Sequence, residues 1–429
     1  MRRNVVPVVF VVLLLAAGAW SSTQTVLWSF SGKNGDGASP YGNSLIADAQ
    51  GNLYGVTVAG GNSNAGMAFE LSPNGSGGYS ETVLYDFCSQ STCSDGYAPY
   101  GGLVMDQKGN LYGTASLGQG CQSNTGFCGA VYELSPNGAG GWTEAILYGF
   151  CNGGDGKQCA DGIYPFAGLV MDKQGNLYGT TSQGGYSDAP SYFGPCENIG
   201  CGTVFELSPN GQGGWTETSL YLFQGYGDGK ASYGGLTLDA KGNLYGTTTQ
   251  GGATNAGVTF KLSPDGQGGW KETTLHSFGI GKDGVDPEFL TLVRDTAGNF
   301  YGTTVYGGSH DTGTVWELSP SKKKKNKYTE RVLYNFSGAG GDPFGGVVLS
   351  AAGALYGTTE SGGPQGRGTL FSLAGAGKKM TEKVLHDFTG GSDGGSPTGN
   401  LLQDSKGNLY GMTGIGGTYS LGTVYKITP

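Results

Sequence analysis

Seven aspartates stand at one recurring place in this chain: Asp36, Asp95, Asp161, Asp228, Asp283, Asp342 and Asp393, each followed by glycine except Asp342, which precedes Pro343. Carboxylates gathered into a ring could hold a cation, accept hydrogen bonds from sugar hydroxyls, or supply the acid and base that cleave a glycosidic bond. The plainer role is local, an Asp that accepts backbone N–H groups of its own turn in every copy, and the spacing favours it. Asp283, Asp286 and Glu288 are the densest oxygen group, but no Asp-x-Asp-x-Asp-Gly calcium loop occurs. Tyr41, Tyr97, Tyr100, Tyr164, Phe166, Tyr233 and Phe344 lie beside the same turns. Exposed, such rings stack on sugars; buried, they wedge neighbouring units together. The candidate ligand-binding set is therefore the seven aspartates with Tyr100, Tyr164 and Tyr233, and no catalytic residue, metal ligand or cofactor site is read.

Other reactive groups are few. Of the three histidines, His276 and His386 occupy a place held by tyrosine in other copies (Tyr85, Tyr148, Tyr334) and are expected to pack. His310 with Asp311 lacks a nucleophile or a third metal ligand. The eight cysteines fall in four near pairs, Cys88 with Cys93, Cys121 with Cys128, Cys151 with Cys159 and Cys196 with Cys201. None of these spacings is the Cys-x-x-Cys of a zinc knuckle, so disulfides in an oxidising compartment are expected. Closing each small loop contributes roughly 2–3 kcal/mol in the chain-entropy model. Eight cysteines allow about 105 pairings, which leaves cross-links between neighbouring loops open.

These side chains must be positioned by a repeat. Gly-Asn-Leu-Tyr-Gly, or a close variant, begins at Gly51, Gly109, Gly175, Gly242, Gly298, Gly353 and Gly407, a period of 54 to 67 residues. In the third unit Gly168–Asp172 is a short apolar strand, Asp172–Asn176 a tight turn, and Asn176–Thr181 a strand with large residues on both faces. Gly202–Leu207 and Trp215–Phe223 supply two more strands, separated by the turn cluster 208–214. Four antiparallel strands that cannot bury both faces alone describe a propeller blade. The fold class is all-β: a seven-bladed β-propeller of four-stranded antiparallel blades. The last unit lacks a fourth strand, and Thr23–Phe30 matches the fourth-strand pattern of Thr216–Phe223. That segment, 23–30, is expected to close the ring as the outer strand of blade seven, with 397–429 supplying the rest.

Composition agrees. With 86 Gly, 25 Tyr and 13% charged residues, the chain is poor in helix formers. Residues 1–22 read as a secretory signal peptide, Arg2 and Arg3 preceding an apolar run and Ala17-Gly18-Ala19. The single domain is then 23–429, with no stable membrane span in the mature chain. A net charge of −9 argues against nucleic acid as a partner. Lys322–Lys325 with Lys327 replaces a Ser-Pro-Asn-Gly turn and reads as a solvated loop.

The recurring Asp-x-x-Gly-Asn-Leu-Tyr-Gly-Thr-Thr, Gly-Thr-Val-Phe-Glu-Leu-Ser-Pro and Leu-Tyr-x-Phe resemble the GloVer (Gloeo/Verruco) tandem-repeat family of choice-of-anchor bacterial exported proteins, over essentially all of 23–429. The resemblance implies an exported repeat protein and supplies no catalytic residues. Members often end in an anchoring segment; none is read here, so release or periplasmic retention is expected, as a monomer. Both long loops of a blade emerge on one face, and all four cysteine pairs fall there. A binding or structural module is expected to use that face, near blades one to three, with extracellular polysaccharide or a surface protein as partner. The rival expectation is an extracellular glycan-degrading enzyme using channel-mouth carboxylates.

Overall fold

The computed structural model describes residues 22–429 apart from 43, 119–127, 152–158, 186–195, 197–199, 226, 280, 282, 324–326, 339–340 and 377–378. Most of the expected leader and Cys121 lie outside the described residues. Seven four-stranded antiparallel sheets form a ring of blades. Blade three runs Val170–Met171, Leu177–Thr181, Thr203–Pro209, Trp215–Leu222, from innermost strand to outermost.

The repeated motif is explained side chain by side chain. Asp172 Oδ1 accepts the backbone N–H groups of Gln174 and Asn176, both at 2.9 Å, and its Oδ2 accepts from Asn176 Nδ2 at 2.9 Å and the Tyr178 hydroxyl at 3.1 Å. Gly175 closes this turn at φ 89°. Gly179 pairs with Phe205, whose ring end would lie 2.4 Å from any β-carbon at 179. The motif is thus one turn, one strand and the space for one ring. In blade six Ser350 replaces the turn aspartate, and its Oγ accepts from Ala354 N at 3.0 Å.

Between blades the core is aromatic. The phenylalanine ending each outer strand packs against a third-strand ring of the next blade: Phe87 on Tyr132 at 4.9 Å, Phe150 on Phe205 at 4.9 Å, Phe223 on Phe260 at 5.1 Å, Phe278 on Trp316 at 5.4 Å. The series continues through Phe336–Phe371 and Phe388–Tyr425, both 5.1 Å, and ends with Phe30–Phe69 at 5.3 Å. All seven phenylalanines are essentially inaccessible to solvent. Closure is covalently indirect but structurally complete: Thr23–Ser29 pairs antiparallel along Thr423–Thr428, and Phe30 N donates to Gly422 O at 3.1 Å. The inner strand of this mixed blade begins at Gly395.

After each outer strand the chain turns and crosses one face toward the next inner strand. On the way Gly37–Ala38 pairs with Ala59–Gly60, Gly229–Lys230 with Gln250–Gly251, and Gly284–Val285 with Tyr306–Gly307. These pairings tie the crossing segment to the loop after the second strand. The disulfides Cys88–Cys93, Cys151–Cys159 and Cys196–Cys201 lie in such loops.

In a closed ring Phe30 is as deeply wedged as any internal phenylalanine. Phe30→Ala is expected to destabilise the whole domain by about 3–5 kcal/mol, as much as Phe223→Ala, with a single cooperative transition in denaturant. An open array would instead fray at blade seven, giving a separate low-stability transition.

Candidate functional site

The recurring aspartates are turn caps at the outer ends of the blade junctions. Asp95 is fully buried and accepts from the Tyr85 hydroxyl at 2.9 Å and Ser89 N at 2.8 Å. Asp161 accepts from Tyr148 at 2.9 Å and Cys151 N at 3.0 Å, and Asp228 from Tyr221 at 2.8 Å and Gln224 N at 3.0 Å. His276 and His386 stand in for the tyrosine, meeting Asp283 at 3.1 Å and Asp393 at 3.2 Å, each edge-on to the next phenylalanine. Asp36 accepts from Ser31 N and Oγ, both at 2.6 Å. Their tyrosine and histidine partners lie on outermost strands and their backbone partners just beyond those strands, so these carboxylates do not surround the channel mouth.

Asp342 is not one of them. It takes φ 58°, like Tyr164, Ala231 and Asp286, three residues beyond the cap position, and Glu360 N donates to its carbonyl at 2.8 Å just as Val305 N does to Asp286 at 3.0 Å. The cap position in that blade is Ala339, outside the described residues, so the Asp-Pro exception in sequence marks a shifted register.

A second carboxyl faces five of these caps. Glu81, Glu144, Glu217, Glu272 and Glu330, on the outer strand of the following blade, are half-buried. Burial pushes Glu81 up to about 8, with Asp36 adding to it, and Glu144, Glu217, Glu272 and Glu330 up to about 7, with Asp95, Asp161, Asp228 and Asp283 adding. Junction six to seven carries the neutral counterpart: Gln24 donates to Asp393 O at 2.7 Å. Between blades five and six the Tyr334 hydroxyl instead donates to Glu382 at 2.6 Å.

The channel mouth is built from different residues. Just past the left-handed position of each crossing segment an aromatic side chain turns inward, giving a ring: Tyr100–Phe166 at 5.2 Å, Phe166–Tyr233 at 5.3 Å, Tyr233–Phe289 at 5.5 Å, Phe289–Phe344 at 5.3 Å and Phe344–Tyr41 at 5.6 Å. At the seventh place Thr398 Oγ1 accepts from Gly42 N at 3.0 Å. All six rings are half-buried, leaving part of each facing solvent. Tyr164 lies one step outside, tilted 6.3 Å from Phe166 and packed against the cystine cluster Cys128, Cys151 and Cys159.

Carboxyls crowd one side of this mouth. Asp286, Glu288 and Asp342 come from crossing segments and Glu360 from the loop after a second strand. Burial raises Asp286 to about 6 and Glu288 to about 7, the latter with help from Asp286 and Glu360. Burial also raises Glu360, with Asp342 adding, and pushes the Tyr41 phenol up, with Glu360 and Glu288 adding. Exposed Tyr306 borders the group. The channel behind is a cavity of about 260 Å³ reached by Phe166, Tyr233 and Phe289. Asn400 crosses it, Oδ1 accepting from Gly346 N at 2.8 Å and Nδ2 donating to Ser44 Oγ at 3.1 Å. The mouth therefore presents aromatic faces with carboxyls along one edge.

Sequence reasoning placed Tyr41, Tyr100, Phe166, Tyr233 and Phe344 beside these turns, with Tyr100 and Tyr233 in the candidate ligand set, and grouped Asp283 with Asp286 and Glu288; the fold separates Asp283, which turns to His276. It missed Phe289, displaced by one residue because Glu288 intervenes after Pro287, and Glu360, which only folding brings beside Tyr41. The densest group lies on the expected face but at blades five and six. Among the described residues no three His, Cys, Asp or Glu side chains converge as a metal site. His310 is exposed, and Asp311 accepts from Gly307 N at 3.0 Å within its own loop.

A model of the Gloeobacter/Verrucomicrobia repeat matches residues 15–193, 192–336 and 271–429. No curated protein matches the sequence. Among solved structures the chain is similar to a 6-phosphogluconolactonase candidate from Bacteroides uniformis, with 14% identity over 84% of this chain and 88% of that one and a TM-score of 0.49. It is also similar to a protein of unknown function from Dyadobacter fermentans, 14% identical over 77% and 93% with a TM-score of 0.45. A gluconolactonase from Xanthomonas campestris is 12% identical over 95% and 89%, with a TM-score of 0.41. At that distance these likenesses carry no chemistry to this chain.

Two outcomes follow from the junction geometry. Asp228→Ala strands the Tyr221 hydroxyl and Gln224 N–H and should cost about 1–3 kcal/mol of stability, measured by denaturant unfolding. The five raised glutamates hold protons in the folded state that the unfolded chain has released, so their contribution is full below about pH 4.5 and is lost as pH rises through 7 to 8. Thermal stability should fall over that window, and Glu144→Gln with Glu217→Gln and Glu272→Gln should flatten the slope and raise the melting temperature at pH 8.

Proposed function

The chain belongs to the Gloeobacter/Verrucomicrobia repeat family, and on that footing we propose that it is an exported binding module that captures polysaccharide on the aromatic ring at its channel mouth. One observation carries this reading: six half-exposed rings in continuous contact, bordered on one side by protonatable carboxyls. Sugar C–H faces stack on such rings, and carboxyls accept or donate hydrogen bonds to hydroxyls according to their protonation. The Asn400 side chain, bridging Gly346 and Ser44 behind the mouth, supports a platform over an open pore. Disulfides suit an oxidising compartment, and no helix of the described residues is long and apolar enough to cross a membrane; secretion, or retention in the periplasm or at the cell surface, fits both. The module is proposed to act as a monomer, and a surface protein is the alternative partner for the same face.

A second reading, hydrolysis of extracellular glycans, draws on Glu288, raised to about 7 beside Asp286 and Glu360. A carboxyl poised near neutrality is what a general acid needs.

A polysaccharide panel separates them. Binding should weaken roughly tenfold with Tyr233→Ala and again with Tyr41→Ala, each ring supplying about 0.5–1.5 kcal/mol beyond its buried area, while melting temperatures change little. Release of reducing ends by the native chain, lost in Glu288→Gln, would establish hydrolysis instead.

A further inference from the structure

Three departures from the repeat, unremarkable one by one, converge on a single groove between blades four and five. Lys261 stands on the third strand where blades one, two, three and five carry Glu70, Glu133, Glu206 and Glu317. Lys271 stands on the fourth strand where neighbours carry Ser80, Thr143, Thr216 and Thr329. Lys327 closes the next blade's turn, its carbonyl accepting from Ser321 N at 2.7 Å, where Gly214 closes the corresponding turn onto Asn210 at 2.9 Å.

Strand register puts the first two on one face. Lys261 lies opposite Thr273, and Lys271 opposite Ser263, so the two lysines are diagonal neighbours, about 7–8 Å apart at the backbone. Glu272, between Lys271 and Thr273, points to the other face and meets Asp228. Together with Leu275, Pro320 and Tyr328, the three lysines line a groove of about 320 Å³. Lys261 lies 5.8 Å over the Tyr245 ring, and none of the three makes an ion pair among the described residues. A groove nearer the axis between blades seven and one holds Lys406 and Lys426 together with the turn aspartates Asp48 and Asp404, so its charges offset one another. The corresponding turn aspartates Asp239 and Asp295 bond to Asn243, Tyr245, Asn299 and Tyr301 and are not among the residues that line the lysine groove.

We propose that this groove is an anion site that takes a polysaccharide bearing sulfate or carboxylate groups, with Lys261, Lys271 and Lys327 holding the anions and Tyr328 and Pro320 flanking a sugar ring. The chain is acidic overall, with a net charge of −9, so its long-range field repels polyanions and attraction acts only near the groove. The interaction must therefore be strongly salt-dependent, since screening shortens it to about 10 Å at 0.1 M ionic strength. The site lies on the face opposite the aromatic mouth and is independent of it.

Affinity electrophoresis of the full chain through gels containing dextran sulfate, polygalacturonate, neutral dextran or poly-L-glutamate tests this. The native chain should be retarded by dextran sulfate, polygalacturonate or both at 20 mM salt, not by neutral dextran, with the effect lost by 200 mM. Lys261→Glu with Lys271→Thr and Lys327→Gly restores what other blades carry and should weaken binding at least tenfold. Lys271→Thr alone, at an exposed position, should weaken it threefold or more and guards against misfolding of the triple variant. Tyr233→Ala, at the mouth, should leave it unchanged. No retardation of the native chain, equal retardation of the lysine variants, or poly-L-glutamate retarding it as strongly as either polysaccharide would overturn the proposal.

Discussion

Every blade of this protein depends on a phenylalanine that belongs to the blade before it. The residue leaves the end of an outer strand and packs edge-on against the third-strand ring that the second-strand glycine makes room for. A blade alone would expose this aromatic face on one side and the socket on the other. Because Phe30, at the beginning of the described chain, fills the socket of blade one from blade seven, the series has no free end. Ring closure is thus the condition under which all seven apolar interfaces are satisfied at once, and the edge strand that an incomplete sheet would leave is paired.

The polar chemistry is layered on that apolar frame. On one face, Asp-x-x-Gly-Asn turns spend their carboxylates on their own backbone, asparagine and tyrosine. At the outer junctions, a cap aspartate and a glutamate of the next blade share a half-buried space with a tyrosine or histidine, and a proton held there moderates their repulsion. Gln24 shows that the geometry accepts an uncharged side chain. The mouth differs, because there the crossing segments present side chains that vary between copies: tyrosine, phenylalanine, glutamate, threonine. What is uniform serves the ring, and what varies meets solvent.

The fold was legible because the repeat states the same strand pattern seven times and the fourth-strand signature at 23–30 has no blade of its own. The site was legible only in part. Tyr41, Tyr100, Phe166, Tyr233 and Phe344 were found by their place beside the turns, and Phe289 was not. The aspartates were recognised as a series and their local capping role was favoured, but a cap and a ligand share the same Asp-Gly spelling, so they stayed in the candidate ligand set. Asp342 looked like a seventh member because counting from the preceding strand ignores that Asp-Pro can occupy the left-handed position three residues on. Lys327 sat in a basic run that resembles a solvated loop until Lys261 and Lys271 are seen across the groove.

The sequence alone determined the blade: its strands, its turns, the glycine that admits a ring, the number of copies and the fragment that closes them. These follow from local stereochemistry and side-chain period, which act over a few residues. Only the tertiary structure decided which carboxyls face one another, which rings meet at the mouth and which lysines share a groove. Those contacts join residues from different blades, and their spacing is set by the curvature of the closed ring, which no single repeat encodes.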